Sequence, residues 1–222
     1  LKIWQEINKL LEENPRNLLL VDSNIYGLIK NKLKVEQKRV YVVDSTEQAK
    51  TLEGCMSVVD FLQTLNFTKA EKLVVVGGGV VQDIGAFVGT IFKRGIPWVF
   101  FPTTLLAMCD SCIGGKTGIN YKGAKNQLAL FSAPACVVIN PNFLKTLPER
   151  ELKAGLGEAL KLHVTGGIKL LEHYELMVKN GKVVDFLNYK LLIVGSLIVK
   201  KAVIEVDEFD LDLRRSLNYG HT

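Results

Sequence analysis

The chain has 222 residues, 48% of them hydrophobic, enough to bury a sizeable core as one or two domains. Its formal net charge of +5 is spread along the sequence rather than gathered in a block, which argues against a nucleic-acid partner and leaves room for a small anionic ligand. Apolar runs such as 73–76 and 98–101 fall far short of the ~20 residues a membrane span needs, so no membrane association is expected.

The opening, LKIWQEINKL, puts Ile3, Ile7, Leu10 and Leu11 on one helical face. It has neither an initiator Met nor a signal-peptide core and reads as an amphipathic helix entered partway through a longer protein. Five apolar, β-branched runs then alternate with helical patterns: LLLVD (18–22), VYVVD (40–44), LVVVG (73–77), WVFFP (98–102) and CVVIN (136–140). Continuous apolar strands separated by helices predict a parallel sheet covered on both faces. From Leu147 the period changes, and LPERELKAGLGEALKLHV, IKLLEHYELMVKN and VVDFLNYKLLIVGSLIVKKAVIEV are helical. The expected fold is an α/β, Rossmann-like domain over 1–146 followed by an all-α domain over 147–222, with the boundary near Pro141 to Pro148. The last residues, SLNYGHT, stop on a fresh polar motif, and the natural protein is expected to continue.

Four cysteines are too few for a disulfide scaffold, and reduced thiols in the cytoplasm are expected. Cys109 and Cys112 form a CxxC. A redox motif of that kind opens a helix directly after a strand, and a structural zinc site needs a second ligand pair, so two small buried side chains are the expectation.

LVVVGGGVVQDIGAF reads as strand, tight turn and helix. Gly77 and Gly79 fill the first two positions of GxGxxG, where backbone amides approach a pyrophosphate, but Gln82 holds the third, where glycine permits close helix packing. Asp22 and Asp44 follow apolar strands at the edge where ribose hydroxyls are gripped. The stretch DSCIGGKTGINYKGAKN (110–126) ends a P-loop-like pattern at Gly114, Gly115, Lys116 and Thr117. The slot six before Lys116, which the P-loop fills with glycine, holds Asp110, and a carboxylate there repels phosphates. The loop is therefore not that of a nucleoside triphosphatase, and Lys116, Lys122 and Lys125 need another explanation.

Taken together, the GGGVV turn with Asp83, KRG (93–95), PTTLLA (102–107), DSxxGGKTGIN (110–120), KN (125–126), LKTLPERELKAGLGEALK (144–161) and the terminal LRRSLNYGHT resemble 3-dehydroquinate synthase, a sugar phosphate cyclase family, from about Leu18 to Thr222. The resemblance implies cyclisation of the seven-carbon phosphate DAHP to 3-dehydroquinate in the shikimate pathway. It implies NAD as a recycled redox cofactor and a divalent metal, zinc being expected and cobalt admissible. It also implies a small sugar-phosphate substrate and a homodimer.

Residue by residue, the resemblance makes Glu158 and His221 metal ligands, the remaining ligands being expected beyond Thr222. Arg94, Asp110, Lys116, Asn126, Lys161, Lys200, Arg214 and Asn218 become substrate-contacting or catalytic residues. A substrate bearing carboxylate and phosphate needs this density of cations. Asp22, Glu47, Lys50, Gly78, Gly79, Asp83, Thr103, Thr104, Asp110, Lys116, Lys125, Phe143 and Thr146 become cofactor residues. His163 and His173 are read as structural. Three departures, Gln82, the order Gly85-Ala86 and Ala124, raise the alternatives of a paralogue acting on another sugar phosphate, such as sedoheptulose 7-phosphate, or a silent NAD-binding homologue. An intact GGKTGIN favours the dehydroquinate reading. A polyol dehydrogenase shares the two-domain plan without the GGKTGIN or LPEREL segments.

Overall fold

The computed structural model describes residues 2–220. Its chain forms two compact units, each assembled from two segments: residues up to Thr103 with Gly115–Asn142, and Thr104–Gly114 with the residues from Phe143 on. The change of sequence period divides the chain once, at 146–147. Periodicity follows the chain linearly and does not register that 104–114 packs with helices that come later.

In the first unit, α1 (Trp4–Glu13), β1 (Leu18–Asp22), α2 (Ser23–Ile29), β2 (Val40–Val43), α3 (Leu52–Thr64), β3 (Leu73–Gly77), α4 (Gly79–Ile91), β4 (Trp98–Pro102), β5 (Lys116–Tyr121), β6 (Ala124–Phe131) and β7 (Cys136–Val137) follow one another. Five of the strands form a parallel sheet in the order β2-β1-β3-β4-β7. All five positions of β1, β3 and β4 are buried. Because successive side chains point to opposite faces, burial without alternation means that both faces are covered. Chain order reverses between β1 and β3, and such a switch point opens a ligand crevice at the carboxyl ends of the strands. Asp22 and the Gly77–Gly79 turn stand there.

Local chemistry sets the element ends. Asp22 caps α2, accepting from the Asn24 and Ile25 amides at 2.7 and 3.3 Å, and Thr51 caps α3 through Gly54 N at 3.1 Å. On α1, Ile3, Ile7 and Leu11 are buried as the periodicity predicts, and Leu10 is half-buried. Close packing of α4 on the sheet falls to Gly85, where a Cβ would lie 2.7 Å from Val75 Cγ2. The position that the dinucleotide pattern reserves for glycine holds Gln82, a buried side chain.

The polar run that includes GGKTGIN is a β-hairpin. Lys122 and Gly123 both have positive φ, 46° and 80°, the conformation that a tight hairpin turn requires. Ile119 pairs with Leu128 and Tyr121 with Ala124, so Lys125, Asn126 and Gln127 stand opposite Asn120 alone, a bulge in β6.

The second unit contains a π-helical turn, Ala107–Ser111, then α5 (Glu149–Thr165), α6 (Ile168–Met177), a short antiparallel pair β8 (Val178–Lys179) and β9 (Lys182–Val183), α7 (Asn188–Val206) and a 3-10 segment, Leu213–Asn218. Leu162, Val199 and Leu217 form its apolar centre, with Leu170 and Val203 packed on them. Gly155 lets α5 lie against the 104–114 segment: a Cβ there would lie 2.5 Å from Leu105 Cβ. His163 is buried between helices, its Nδ1 2.7 Å from Ala159 O and its ring 5.5 Å from that of Tyr174. Burial lowers its pKa despite the Ala159 contact. Among the described residues, no helix is long and apolar enough to cross a membrane.

Candidate functional site

The first unit presents the glycine turn. Helix α4 starts after Gly78 with no side-chain cap, and a Cβ at Gly79 would meet nothing within 4 Å. The helix N-terminus thus faces open space at the switch point, with amide hydrogens and dipole suited to a pyrophosphate. Thr103, also buried, donates its amide to Gly77 O at 3.0 Å and fixes the turn from the neighbouring strand. Asp22 lies at the same edge, with Oδ1 engaged in capping α2.

Beside the turn, the structure joins Glu47, Lys50, Asp83, Asn120 and Asn126. Lys50 Nζ donates to Asp83 Oδ2 at 3.0 Å and to Asn126 Oδ1 at 2.8 Å, and lies 3.6 Å from Glu47 Oε1. Asn120 Nδ2 donates to Glu47 Oε1 at 2.8 Å, and Asn120 Oδ1 accepts the Asn126 amide at 2.9 Å. Burial raises the Asp83 carboxyl above its usual value, against the pull of Lys50 and the Gly118 amide. For Glu47 burial acts in the same sense, but the Asn120 amide and the Lys50 and Lys125 charges outweigh it and the net shift is downward. Lys116 and Lys125 are exposed on the hairpin. Arg94 is also exposed, before the amino end of β4 and so at the opposite edge of the sheet from Gly78. The fold does not bring it to the other residues of this unit's site.

The second unit gathers Asp110, Glu158, Lys161 and Lys200. Lys200 Nζ lies 2.6 Å from Asp110 Oδ1 and donates to Asp110 O at 2.6 Å, while Lys161 pairs with Glu158 one helical turn away. Glu158 also hydrogen-bonds Asp110, linking the pairs. Burial works to raise the Asp110 carboxyl, but Lys200, then Lys161 and Glu158, hold it below the usual value. Burial lowers Lys200, with Asp110 opposing. Asp110 is thus held anionic beside Lys200 in a poorly solvated setting, where an incoming anion competes directly for the lysine.

Arg214 is buried on the following segment. Its guanidinium donates to Glu208 O and, at 2.9 Å, to Gly114 O, and its amide is held by Asp207 Oδ2 at 2.9 Å. Thr104 Oγ1 accepts the Ala107 amide at 3.2 Å and so starts the turn that presents Asp110. Phe143 is fully buried, and Thr146 Oγ1 donates to its carbonyl at 2.9 Å. Asn218 is exposed at the end of the 3-10 segment, and His221 lies outside the described residues. Burial pushes the thiols of Cys55, Cys109 and Cys112 up to about 12, and no disulfide forms, so the CxxC is a buried pair.

The cradle in front of α4 fits a dinucleotide. A metal is a different matter. Among the described residues no three His, Cys, Asp or Glu side chains gather as ligands, and Glu158 is already paired with Lys161. The described donor set does not by itself make a metal site. Gly118 and Asn120 carry no role in the sequence motifs, and Gly85 enters only as a departure in residue order. Gly118 and Asn120 both sit inside the GGKTGIN motif, so their signal is present without a role attached.

Several solved structures share this fold. A 2-deoxy-scyllo-inosose synthase matches 98% of this chain and 63% of its own with a TM-score of 0.81 at 21% identity. The 2-epi-5-epi-valiolone synthase of Streptomyces hygroscopicus, solved with NAD+ and Zn2+ bound, matches 92% of this chain and 59% of its own with a TM-score of 0.74 at 26% identity. The chain belongs to the 3-dehydroquinate synthase family, whose N-terminal model matches residues 40–154 and whose C-terminal model matches 155–222. It is 37% identical to the 3-dehydroquinate synthase of Pelagibacter ubique over 99% of this chain and 62% of that one. The chain spans about six tenths of the length of the curated relatives it matches.

Proposed function

We propose that the chain acts in the NAD- and metal-dependent cyclisation of DAHP to 3-dehydroquinate with loss of phosphate, a carbon–oxygen lyase reaction. The observation that carries this reading is the cluster of two lysines, Lys200 and Lys161, flanking the linked carboxyl groups of Asp110 and Glu158, on a chain of the dehydroquinate synthase family. Lys161 and Lys200 bind the anionic groups of the substrate, and Asp110 accepts a hydroxyl hydrogen. On the hairpin, Lys116 and Asn126 hold carboxylate and phosphate oxygens. Gly78, Gly79 and the α4 N-terminus receive the dinucleotide pyrophosphate, with Asp22, Glu47, Lys50, Asp83, Thr103 and Lys125 of the same unit around the rest of the cofactor.

NAD, when bound, supplies reversible hydride acceptance, which acidifies the carbon next to the oxidised centre and opens the way to phosphate elimination. The lysines then stabilise charge on the departing phosphate, and the ordered side chains restrict one flexible molecule, an effect on the order of 7 kcal/mol or more in favourable intramolecular models. The bound Zn2+ of the valiolone synthase supports a divalent metal, zinc foremost, for which Glu158 and His221 would be ligands. The assembly we propose is a homodimer.

The test is incubation of the protein with DAHP, NAD+ and Zn2+. Phosphate release with ring closure to 3-dehydroquinate supports the reading. Turnover of sedoheptulose 7-phosphate alone replaces it with the paralogue, and NAD+ binding without any phosphate release leaves the silent homologue.

A further inference from the structure

Asn126 has φ 53°, in the left-handed region, where asparagine is tolerated at a cost. Three neighbours hold it there. Asn120 Oδ1 accepts its amide, Lys50 Nζ binds its side-chain oxygen, and Gly118 leaves room, since a Cβ at 118 would lie 2.7 Å from Asn126 Cβ. Asn120 also donates from Nδ2 to Glu47 Oε1 at 2.8 Å, the carboxylate that Lys50 Nζ approaches at 3.6 Å, and its own amide donates to Lys50 O at 2.9 Å. The bulge leaves Asn120 as the only residue opposite Lys125, Asn126 and Gln127.

We propose that Asn120 is a positioning residue that locks the Lys125–Asn126 bulge to the Glu47–Lys50 segment, so that the cofactor-side and substrate-side residues of this unit are set as one piece. The inference rests on the proposed function for the meaning of those two groups, though not for the lock itself. The role demands one acceptor and one donor on a short planar group. The assignment is self-consistent, because the oxygen must face an amide that can only donate and the nitrogen a carboxylate that accepts. Aspartate keeps the acceptor and loses the donor, placing a second carboxylate against Glu47. Leucine loses both.

Amide exchange and NAD+ binding in Asn120→Asp and Asn120→Leu separate the possibilities. Protection of the Asn126 amide persists in Asn120→Asp and falls at least tenfold in Asn120→Leu; unchanged protection in Asn120→Leu overturns the lock. NAD+ affinity falls about tenfold in both variants at pH 8, as when a hydrogen bond to a charged group is lost. Towards pH 5 it recovers in Asn120→Asp alone, because a proton shared by the two carboxyls restores the missing donor. Equal affinity in both variants and wild type, or no acid recovery, overturns the coupling to the cofactor. A wild-type protein that binds no NAD+ overturns the proposed function, while the exchange result still judges the lock.

Discussion

Lys200 Nζ binds both the carboxylate and the main-chain carbonyl of Asp110, each at 2.6 Å. A single buried ammonium therefore neutralises the Asp110 charge and ties α7 to the π-helical turn. Removing one partner leaves the other charged with little solvent to replace it. Lys200→Met is expected to destabilise the protein by about 3 kcal/mol, and adding Asp110→Asn to recover part of that loss. Urea denaturation of the two single variants and the double variant measures the coupling; additive losses refute it.

The acid limb of stability separates two aspartates by sign. Asp110 is held below its usual value of 3.8 in the fold, so its contribution is complete above that value and is lost as pH falls through the lower folded one. Asp83 is raised above 3.8, so its contribution is complete below 3.8 and is lost as pH rises through the higher folded value. The stability gap between wild type and Asp110→Asn should narrow from pH 6 to pH 3, while the gap to Asp83→Asn should shift in favour of wild type. Denaturant midpoints across that range decide it, and parallel behaviour of the two variants contradicts the assignment.

Gly85 and Gly79 make a matched pair on one helix. A methyl group at 85 meets the β-branched Val75 at 2.7 Å, whereas one at 79 meets open space. Overpacking costs about 1–3 kcal/mol, against a helix-propensity gain for alanine of about 1 kcal/mol. Gly85→Ala should therefore lower the unfolding free energy while leaving the glycine turn intact. Gly79→Ala should leave stability unchanged and weaken NAD+ binding by filling the cradle. Thermal scans and dinucleotide titration of both variants check the contrast, and equal thermal losses would contradict it.

The thiols give a direct probe of the CxxC reading. Cys136 is exposed, whereas the other three are buried and raised to about 12. A disulfide reagent at pH 8 should label one thiol per native chain quickly and all four only in denaturant. Rapid native labelling of Cys109 or Cys112 would restore the redox reading.

Much of the sheet was legible because its five strands are unbroken apolar runs, and a fully covered parallel strand has no other pattern to display. The β5–β6 hairpin was not read as strand. Its lysines and glycines resemble a loop, although the β6 partners Ala124, Leu128, Ala129, Leu130 and Phe131 are all apolar. The turn signal at Lys122–Gly123 was there, but it lacks the Asn-Gly or Asp-Gly pair that marks most such turns. The packing role of Gly85, noted only as a change of residue order, is hidden for a related reason. The dinucleotide pattern directs attention to position 82, while the helix reaches its closest approach to β3 one turn later. For the site, single residues spoke only through the motif resemblance. The Lys50 to Asn126 contact joins positions 76 apart, and no local period encodes such a meeting. His221, called a ligand, lies outside the described residues, and Arg94 stands apart at the other sheet edge.

The sheet's last strand is a late arrival. β7 pairs with β4 through Val99 with Cys136 and Phe100 with Val137, after the chain has left for 104–114 and built the hairpin. During synthesis, β4 must emerge and wait as a bare, wholly apolar border until residue 137 clears the ribosome, and such borders invite pairing between nascent chains. Closure of that long loop is entropically slow. Chaperone demand should therefore peak while the hairpin is being translated, and ease once β7 is seated.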